Sequence, residues 1–271
     1  MTTATDTARA ALARVFDAIG PVAVAVSGGV DSMTLAFMAH RHSGSQTSMF
    51  HARSPAVPPE ATMRVRAYGE RYGWDLRVID AGEFQDADYL RNPIDRCFFC
   101  KHNLYQAISR LTPATLVSGA NLDDLSDYRP GLRAAERHAV RHPYIEAGVS
   151  KSSVRALARK FGLDDLAELP ASPCLSSRIE TGIAVSVPAL KLIHAAESLL
   201  RDELRSETVR CRVRAGGIAV ELDEHGLERF GQHQDLLAKL ARLCAAHGYP
   251  GEVRFEPYRR GSAFLRASSD G

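Results

Sequence analysis

Five small apolar residues, Val22-Ala23-Val24-Ala25-Val26, run directly into Ser27-Gly28-Gly29-Val30-Asp31-Ser32 and then into Met33-Thr34-Leu35-Ala36-Phe37-Met38. A short apolar run closed by paired glycines and followed by a second, longer apolar run is a strand-to-helix junction. It commits the chain to β-α units and so to a parallel sheet. Adjacent glycines let the backbone approach a ligand closely and turn its N–H groups inward, and the following helix adds the positive end of its dipole. The junction is therefore built for an anion. Ser27 and Ser32 add hydroxyl groups, whereas Asp31 has the wrong sign to hold phosphate alone and is accounted for by a Mg2+ lying between them. The segment lacks the Gly-Lys-Ser/Thr ending of a Walker loop and the spacing of G-x-G-x-x-G. The plain alternative is a glycine turn with no ligand.

The alternation continues downstream. Helices are expected over 7–19, 31–42, 59–72 and 101–111, with strands over 21–26, 49–52, 76–79 and 115–118. This spacing predicts an α/β fold, a doubly wound parallel sheet that takes its ligand at the carboxyl ends of the strands, the edge on which residues 27–32 lie. A polar stretch from Leu163 to Thr181, holding Pro170 and Pro173, breaks the pattern and reads as a long functional loop. Beyond it a helix over 188–200, a hairpin over 209–213 and 218–222, a helix over 232–247 and a strand over 253–255 suggest a small α/β appendage. The domain boundary is accordingly placed at 180, with 181–271 available for oligomerisation into a homo-oligomer.

With 271 residues, 45% of them hydrophobic, the chain can bury a sizeable core. Thirty-four Lys and Arg against 32 Asp and Glu leave a net charge of +2, so no bulk attraction to nucleic acid or a membrane surface follows. No apolar run has the length of a membrane span, and Met1 to Asp6 has neither the basic start nor the apolar middle of a signal peptide. A cytoplasmic protein is expected. Five cysteines are too few for a disulfide framework in a chain this long, so thiols with chemical roles are expected instead.

Cys97-Phe98-Phe99-Cys100 places two thiols three residues apart near the start of an expected helix, a spacing suited to a metal, an iron–sulfur cluster or a redox pair, and equally to two small buried side chains. No second CxxC or close Cys/His pair completes a zinc site. Cys174 lies among Ser172, Ser176, Ser177 and Arg178, polar surroundings that favour a thiolate able to attack an activated carboxylate. Cys211 and Cys244 fall in a strand and a helix and read as core. Asn121, Asp123, Asp124 and Asp127, with Arg129 beside them, crowd a loop after a strand, where such residues hold Mg2+ or cap a helix. Lys151 opens a helix, where its charge opposes the dipole and calls for an anion such as phosphate. Arg212 and Arg214 alternate on a strand and share a face, suited to gripping phosphate or simply to facing solvent.

Ser27 to Ser32 resembles the PP-loop of ATP pyrophosphatases, which cleave ATP between the α- and β-phosphates and transfer AMP. Taken with Arg96 to Lys101, Gly119 to Gly131, Arg141 to Lys151 and Pro170 to Arg178, the chain resembles the LarE family of ATP-dependent sulfur transferases from about Val22 to Glu221. The resemblance implies a HUP-like PP-loop fold using ATP and Mg2+, with a pyridinium-3,5-biscarboxylic acid mononucleotide as substrate in nickel-pincer cofactor synthesis. It implies nucleotide contacts from residues 27–32, Asn121, Asp123, Asp127, Arg129, Lys151 and Arg178, substrate phosphate on Arg212 and Arg214, and metal binding by Asp31, Glu197 and Glu221. The adenylated carboxylate would be attacked by Cys174, whose own C–S bond breaks in sacrificial members to leave dehydroalanine. Members similar in carrying three cysteines hold a 4Fe-4S cluster whose open iron carries sulfide, and Cys97, Cys100 and Cys174 would be those three. The chain departs from the family in Glu180-Thr181-Gly182, commonly Pro-Tyr-Gly, and in Gly216, commonly His. PP-loop tRNA thiolases and adenylating amide ligases of the NAD or GMP synthetase type are the competing readings. The first would need a basic RNA-binding surface, and the second has no use for Cys174.

Overall fold

A computed structural model describes residues 3–126, 129–171, 173–231, 233–259 and 261–263. The chain divides into two compact units, Met1–Glu83 with Cys97–Ser172, and Phe84–Arg96 with Pro173–Gly271. In the first, α1 (Ala4–Ile19), β1 (Val22–Ala25), α2 (Val30–Ser43), β2 (Thr47–Ala52), α3 (Pro59–Tyr72), β3 (Asp75–Ile79), α4 (Arg96–Ser109, of which Arg96 is assigned to the second unit), β4 (Thr115–Val117), α5 (Pro130–Arg137) and α6 (Lys151–Lys160) follow in order. The strands form one sheet in the order β3-β2-β1-β4, with every pairing parallel and Val24 opposite both Met49 and Val117.

Period two explains why β1 is apolar at every position. Val22 and Val24 pack into a core with Leu12, Phe16, Met33, Val154 and Leu157, while Ala23 and Ala25 pack on the opposite face with Tyr105, Ile108 and Ala134. Helices thus cover both faces, α1, α2 and α6 on one and α4 and α5 on the other. The expected doubly wound parallel sheet is what forms, and the edge where its strands end carries residues 27–32.

The second unit holds α7 (Val187–Leu204), β5 (Val209–Arg214), β6 (Gly217–Leu222), α8 (Glu224–Phe230), α9 (Gln234–Ala246) and β7 (Val253–Pro257). β5 and β6 form the expected antiparallel hairpin, and β7 adds to β6 in parallel, with Val220 opposite Phe255. Ser186 caps α7 by accepting from the Ala189 N–H at 3.3 Å, and the helix buries Leu190, Ile193, Ala196 and Leu200 as it lies against β5.

The boundary differs from the one expected at 180. Residues 84–96 are built into the second unit by Asn92, buried in the left-handed region at φ 56°, whose amide faces the carbonyls of Glu180 at 2.8 Å and Ile183 at 2.9 Å. The Tyr89 hydroxyl bonds Ser176 Oγ at 2.7 Å. Such long-range polar pairing leaves no periodic mark in the sequence. The stretch expected to be loop, 163–181, contains a helical turn at Asp164–Ala167 and a 3-10 turn at Leu175–Arg178. α4 begins five residues before the expected 101, because the middling helix propensity of Cys and Phe hides its first turn.

Candidate active site

The loop after β1 is shaped by contacts that only small residues allow. Gly28 has φ 84°, and a Cβ there would lie 2.8 Å from the Ala61 carbonyl oxygen on α3. Gly119, just past β4, comes equally close from the other side, where a Cβ would lie 2.9 Å from the Ser32 nitrogen. The loop is pinched between two neighbours. Ser32 Oγ accepts from the Ser27 N–H at 3.0 Å and donates to the Gly29 carbonyl at 3.2 Å, with Ser27 Oγ 3.0 Å away. Beneath the loop, His51 at the end of β2 is fully buried with Nδ1 2.8 Å from the Val26 carbonyl and Nε2 2.8 Å from Thr62 Oγ1. A carbonyl can only accept, so Nδ1 carries the proton and, in the neutral ring, Nε2 accepts from Thr62. Burial holds the His51 pKa below its ordinary 6.5.

Asp31, in the first turn of α2, draws in residues far apart in the chain. Lys151 Nζ donates to Asp31 Oδ2, Asn121 Nδ2 donates to Oδ1 at 3.2 Å, and the Tyr144 hydroxyl donates to the Asp31 carbonyl at 3.2 Å. The anion that Lys151 requires at its helix start is, in this structure, the Asp31 carboxylate. Asp123 adds a second, accepting from the Lys151 N–H at 2.5 Å. Asn121 caps the short turn Leu122–Leu125 in a reciprocal capping box with Asp124, and Arg129 Nη2 lies 2.7 Å from Asp124 Oδ1. The acidic cluster is therefore engaged with backbone N–H groups and Arg129. Asp127 lies outside the described residues.

Cys97 and Cys100 share one face of α4, three residues apart, and both are half-buried. Phe98 between them lies under the guanidinium groups of Arg133 and Arg137, 5.5 and 4.7 Å from the ring centre. Cys211 and Cys244 are fully buried, as expected, and burial pushes both thiols up in pKa. In the second unit, Cys174 is half-buried and immediately precedes the Leu175–Arg178 turn. Arg178 does not turn toward its sulfur. Its Nη1 donates to the carbonyls of Pro173 at 2.7 Å and Cys174 at 3.2 Å, while Nε and Nη2 grip the two Glu197 oxygens at 2.9 and 3.1 Å.

Arg212 and Arg214 share a face as their alternation demands, and both reach Glu221 at 2.8 Å. Arg212 Nη1 also donates to the Ser177 carbonyl at 3.1 Å, so a second buried arginine holds the Cys174 turn. Arg214 further pairs with Glu256 at 3.0 Å. Glu197 and Glu221, expected as metal ligands, are thus each bound to arginine. Among the described residues no three His, Cys, Asp or Glu side chains are gathered closely enough to hold a metal ion. Gly216 leaves room into which Arg254 reaches, with Nη2 3.0 Å from its carbonyl and 2.7 Å from where a Cβ would stand. Tyr144, Gly119 and Tyr89 were not legible as site residues. Of these only Gly119 carries a signal, a glycine directly behind a strand.

A four-stranded parallel sheet in the order 3-2-1-4, with a serine- and glycine-rich loop leading from its first strand into a helix that carries an aspartate, defines a PP-loop nucleotide-using domain. Residues 4–97 match the asparagine synthase family. An uncharacterised protein of Synechocystis sp. is 33% identical over 229 residues, covering 83% of this chain and 85% of that one. The pyridinium-3,5-bisthiocarboxylic acid mononucleotide synthase of Lactiplantibacillus plantarum is 29% identical over 229 residues, 83% of this chain and 82% of the relative. An uncharacterised protein of Methanocaldococcus jannaschii is 22% identical over 222 residues, 80% and 84% of the two chains. The chain belongs to the LarE family of PP-loop proteins and is an ATP-dependent sulfurtransferase. No helix among the described residues is long and apolar enough to cross a membrane.

Proposed function

We propose that the protein adenylates a carboxylate of a pyridinium-3,5-biscarboxylic acid mononucleotide and converts it to a thiocarboxylate, a step in nickel-pincer cofactor synthesis. The observation that carries this reading is the convergence of Asp31, Lys151 and Asn121 on the glycine loop, from segments 90 to 120 residues apart. A carboxylate oxygen of the substrate attacks the α-phosphorus of ATP, the bond to the β-phosphate oxygen breaks, and pyrophosphate leaves. Backbone N–H groups of residues 28–32 and the α2 dipole face the charge that develops on the phosphates. Lys151 is held beside them by Asp31. The Asp31 carboxylate and Ser32 hydroxyl are oxygen donors of the kind Mg2+ takes, and the ion would supply charge neutralisation between Asp31 and the departing pyrophosphate.

In the second half-reaction a sulfur nucleophile attacks the acyl carbon and AMP departs. Where the half-buried Cys174 is that nucleophile, a thioester forms, and the thiocarboxylate is released when the Cys174 Cα proton is lost and its Cβ–S bond breaks, leaving dehydroalanine. Cys97, Cys100 and Cys174 supply three thiols of the type a 4Fe-4S cluster needs. Cys97 and Cys100 are half-buried on one helix face, unlike the fully buried Cys211 and Cys244, which supports a role beyond filling core. Such a cluster would supply sulfide when bound. Arg212 and Arg214 are offered for the substrate phosphate.

The test is pyrophosphate release with ATP, Mg2+ and the dicarboxylate mononucleotide. Asp31→Asn should lower it by roughly a hundredfold or more, whereas Cys174→Ala should retain it and form no thiocarboxylate. Undiminished release in the Asp31 variant would sink the assignment. Anaerobic preparation with iron and sulfide analysis separates the sulfur sources: a brown protein that turns colourless on Cys97→Ala supports the cluster, and a colourless one supports Cys174 as donor.

A further inference from the structure

The Asp31–Lys151 pair cancels its own charge, which leaves the phosphate loop without a net cation at its centre. On the opposite side of the loop, α3 presents Arg64. This half-buried arginine donates from Nη1 to the Gly28 carbonyl at 2.7 Å, and the structure records no carboxylate partner for it among the described residues. We propose that Arg64 is a further ATP-binding residue, which grips the phosphate chain from the α3 side of the loop; the proposal rests on the phosphate-loop reading.

A loop that binds anions through its N–H groups must turn its carbonyls away, and the Gly28 carbonyl is turned toward α3. One of five guanidinium donors accomplishes this. The others remain in a fixed fork next to the loop, the geometry that suits phosphate oxygens. Gly28 could not reach this position with a side chain, since its Cβ would lie 2.9 Å from the Ala61 Cβ. The close approach of loop to helix is what brings Arg64 alongside. ATP carries more negative charge than one magnesium ion neutralises, and with Lys151 offset by Asp31 the Arg64 guanidinium addresses the remainder. The alternative is a prop that holds the Gly28 carbonyl and never touches ligand.

Charge and donor can be separated by substitution in the full chain. Arg64→Gln keeps an N–H donor without charge, and Arg64→Lys keeps the charge. Calorimetric titration with inorganic pyrophosphate and Mg2+, alongside thermal melts that show each variant folded, reads the difference. Arg64→Gln should weaken pyrophosphate by about tenfold or more while Arg64→Lys stays within about threefold of the native protein. Pyrophosphate affinity unchanged in Arg64→Gln, or an equal loss in both variants, would overturn the proposal in favour of the prop. A native protein that binds no pyrophosphate would overturn the phosphate-loop reading itself, a distinct result.

Discussion

Asp31 and His51 both lie at the carboxyl edge of the sheet, yet the fold treats their charge in opposite ways. Asp31 is ion-paired with Lys151, whereas burial between Val26 and Thr62 disfavours the charged form of His51. The second arrangement carries a pH dependence. Burial lowers the His51 pKa below 6.5, and burial does the same to His142, where Glu146 and Asp124 only partly oppose it. In the window below 6.5 the unfolded chain therefore binds more protons than the folded one. This stability is fully present above the unfolded value and drains away as the pH falls through that window. Melting temperatures measured from about pH 7.5 down to about pH 5.5 should fall, and less steeply in His51→Asn, whose amide can still donate to Val26. An identical slope in the variant would remove His51 from the account. At this scale the sequence was generous about the loop itself, because SGGVDS is contiguous. It was silent about Tyr144 and Arg64, whose roles depend on where other elements carry them. Nor does sequence proximity to Cys174 show where Arg178 points, since its guanidinium is turned to Glu197 and to the Pro173 and Cys174 carbonyls.

The Leu175–Arg178 turn is too short to hold its own shape, having one helical turn and no side-chain cap. Two buried arginines hold it, Arg178 at the end of the turn anchored on α7 through Glu197, and Arg212 from β5 anchored on β6 through Glu221. Arg178 and Glu197 are only 3% and 2% exposed, so removing Arg178 leaves Glu197 buried with Arg201 at 3.4 Å and the Cys211 N–H at 3.1 Å to offset its charge. Arg178→Gln should cost about 3–5 kcal/mol in chemical denaturation, and Arg178→Met with Glu197→Leu should recover much of that loss. Recovered stability should not bring back sulfur transfer, because the Pro173 and Cys174 carbonyls still lack their donor. A stable double variant with native transfer would mean that the turn needs no clamp. Hydrophobic period made most helices and all seven strands legible, since β1 is buried on both faces, the edge strand β3 keeps Leu76 and Ile79 against the core, and the β5–β6 hairpin turns at Gly216 and Gly217. The short helices α5 and α8 escaped because a span of seven or eight residues holds barely two turns of pattern.

Two units share one chain, and the chain passes from one to the other after Glu83, after Arg96 and after Ser172. Residues 84–96 lie far in sequence from the rest of the second unit, and Asn92 secures them there with a side-chain amide and a left-handed backbone. Asn92→Ala forfeits the amide and strains the backbone, for a cost of about 2–4 kcal/mol. Native-state hydrogen exchange should place that loss in the amides of β5, β6 and β7 and leave β1 to β4 protected as before. Equal loss in both sheets would mean that the two units open together. No local pattern announces an excursion of this kind, which is why the boundary near 180 was the natural reading of proline and polar residues in 163–181. The excursion also sets an order of events during synthesis. Tyr89 and Asn92 leave the ribosome early, but their partners at Ser176, Glu180 and Ile183 come roughly ninety residues later, which at about 5–20 residues per second is a delay of roughly five seconds or more. Throughout that interval the nascent first unit trails an aromatic loop with nowhere to dock, a natural target for a chaperone and a reason to expect that slower translation would lower the yield of folded protein.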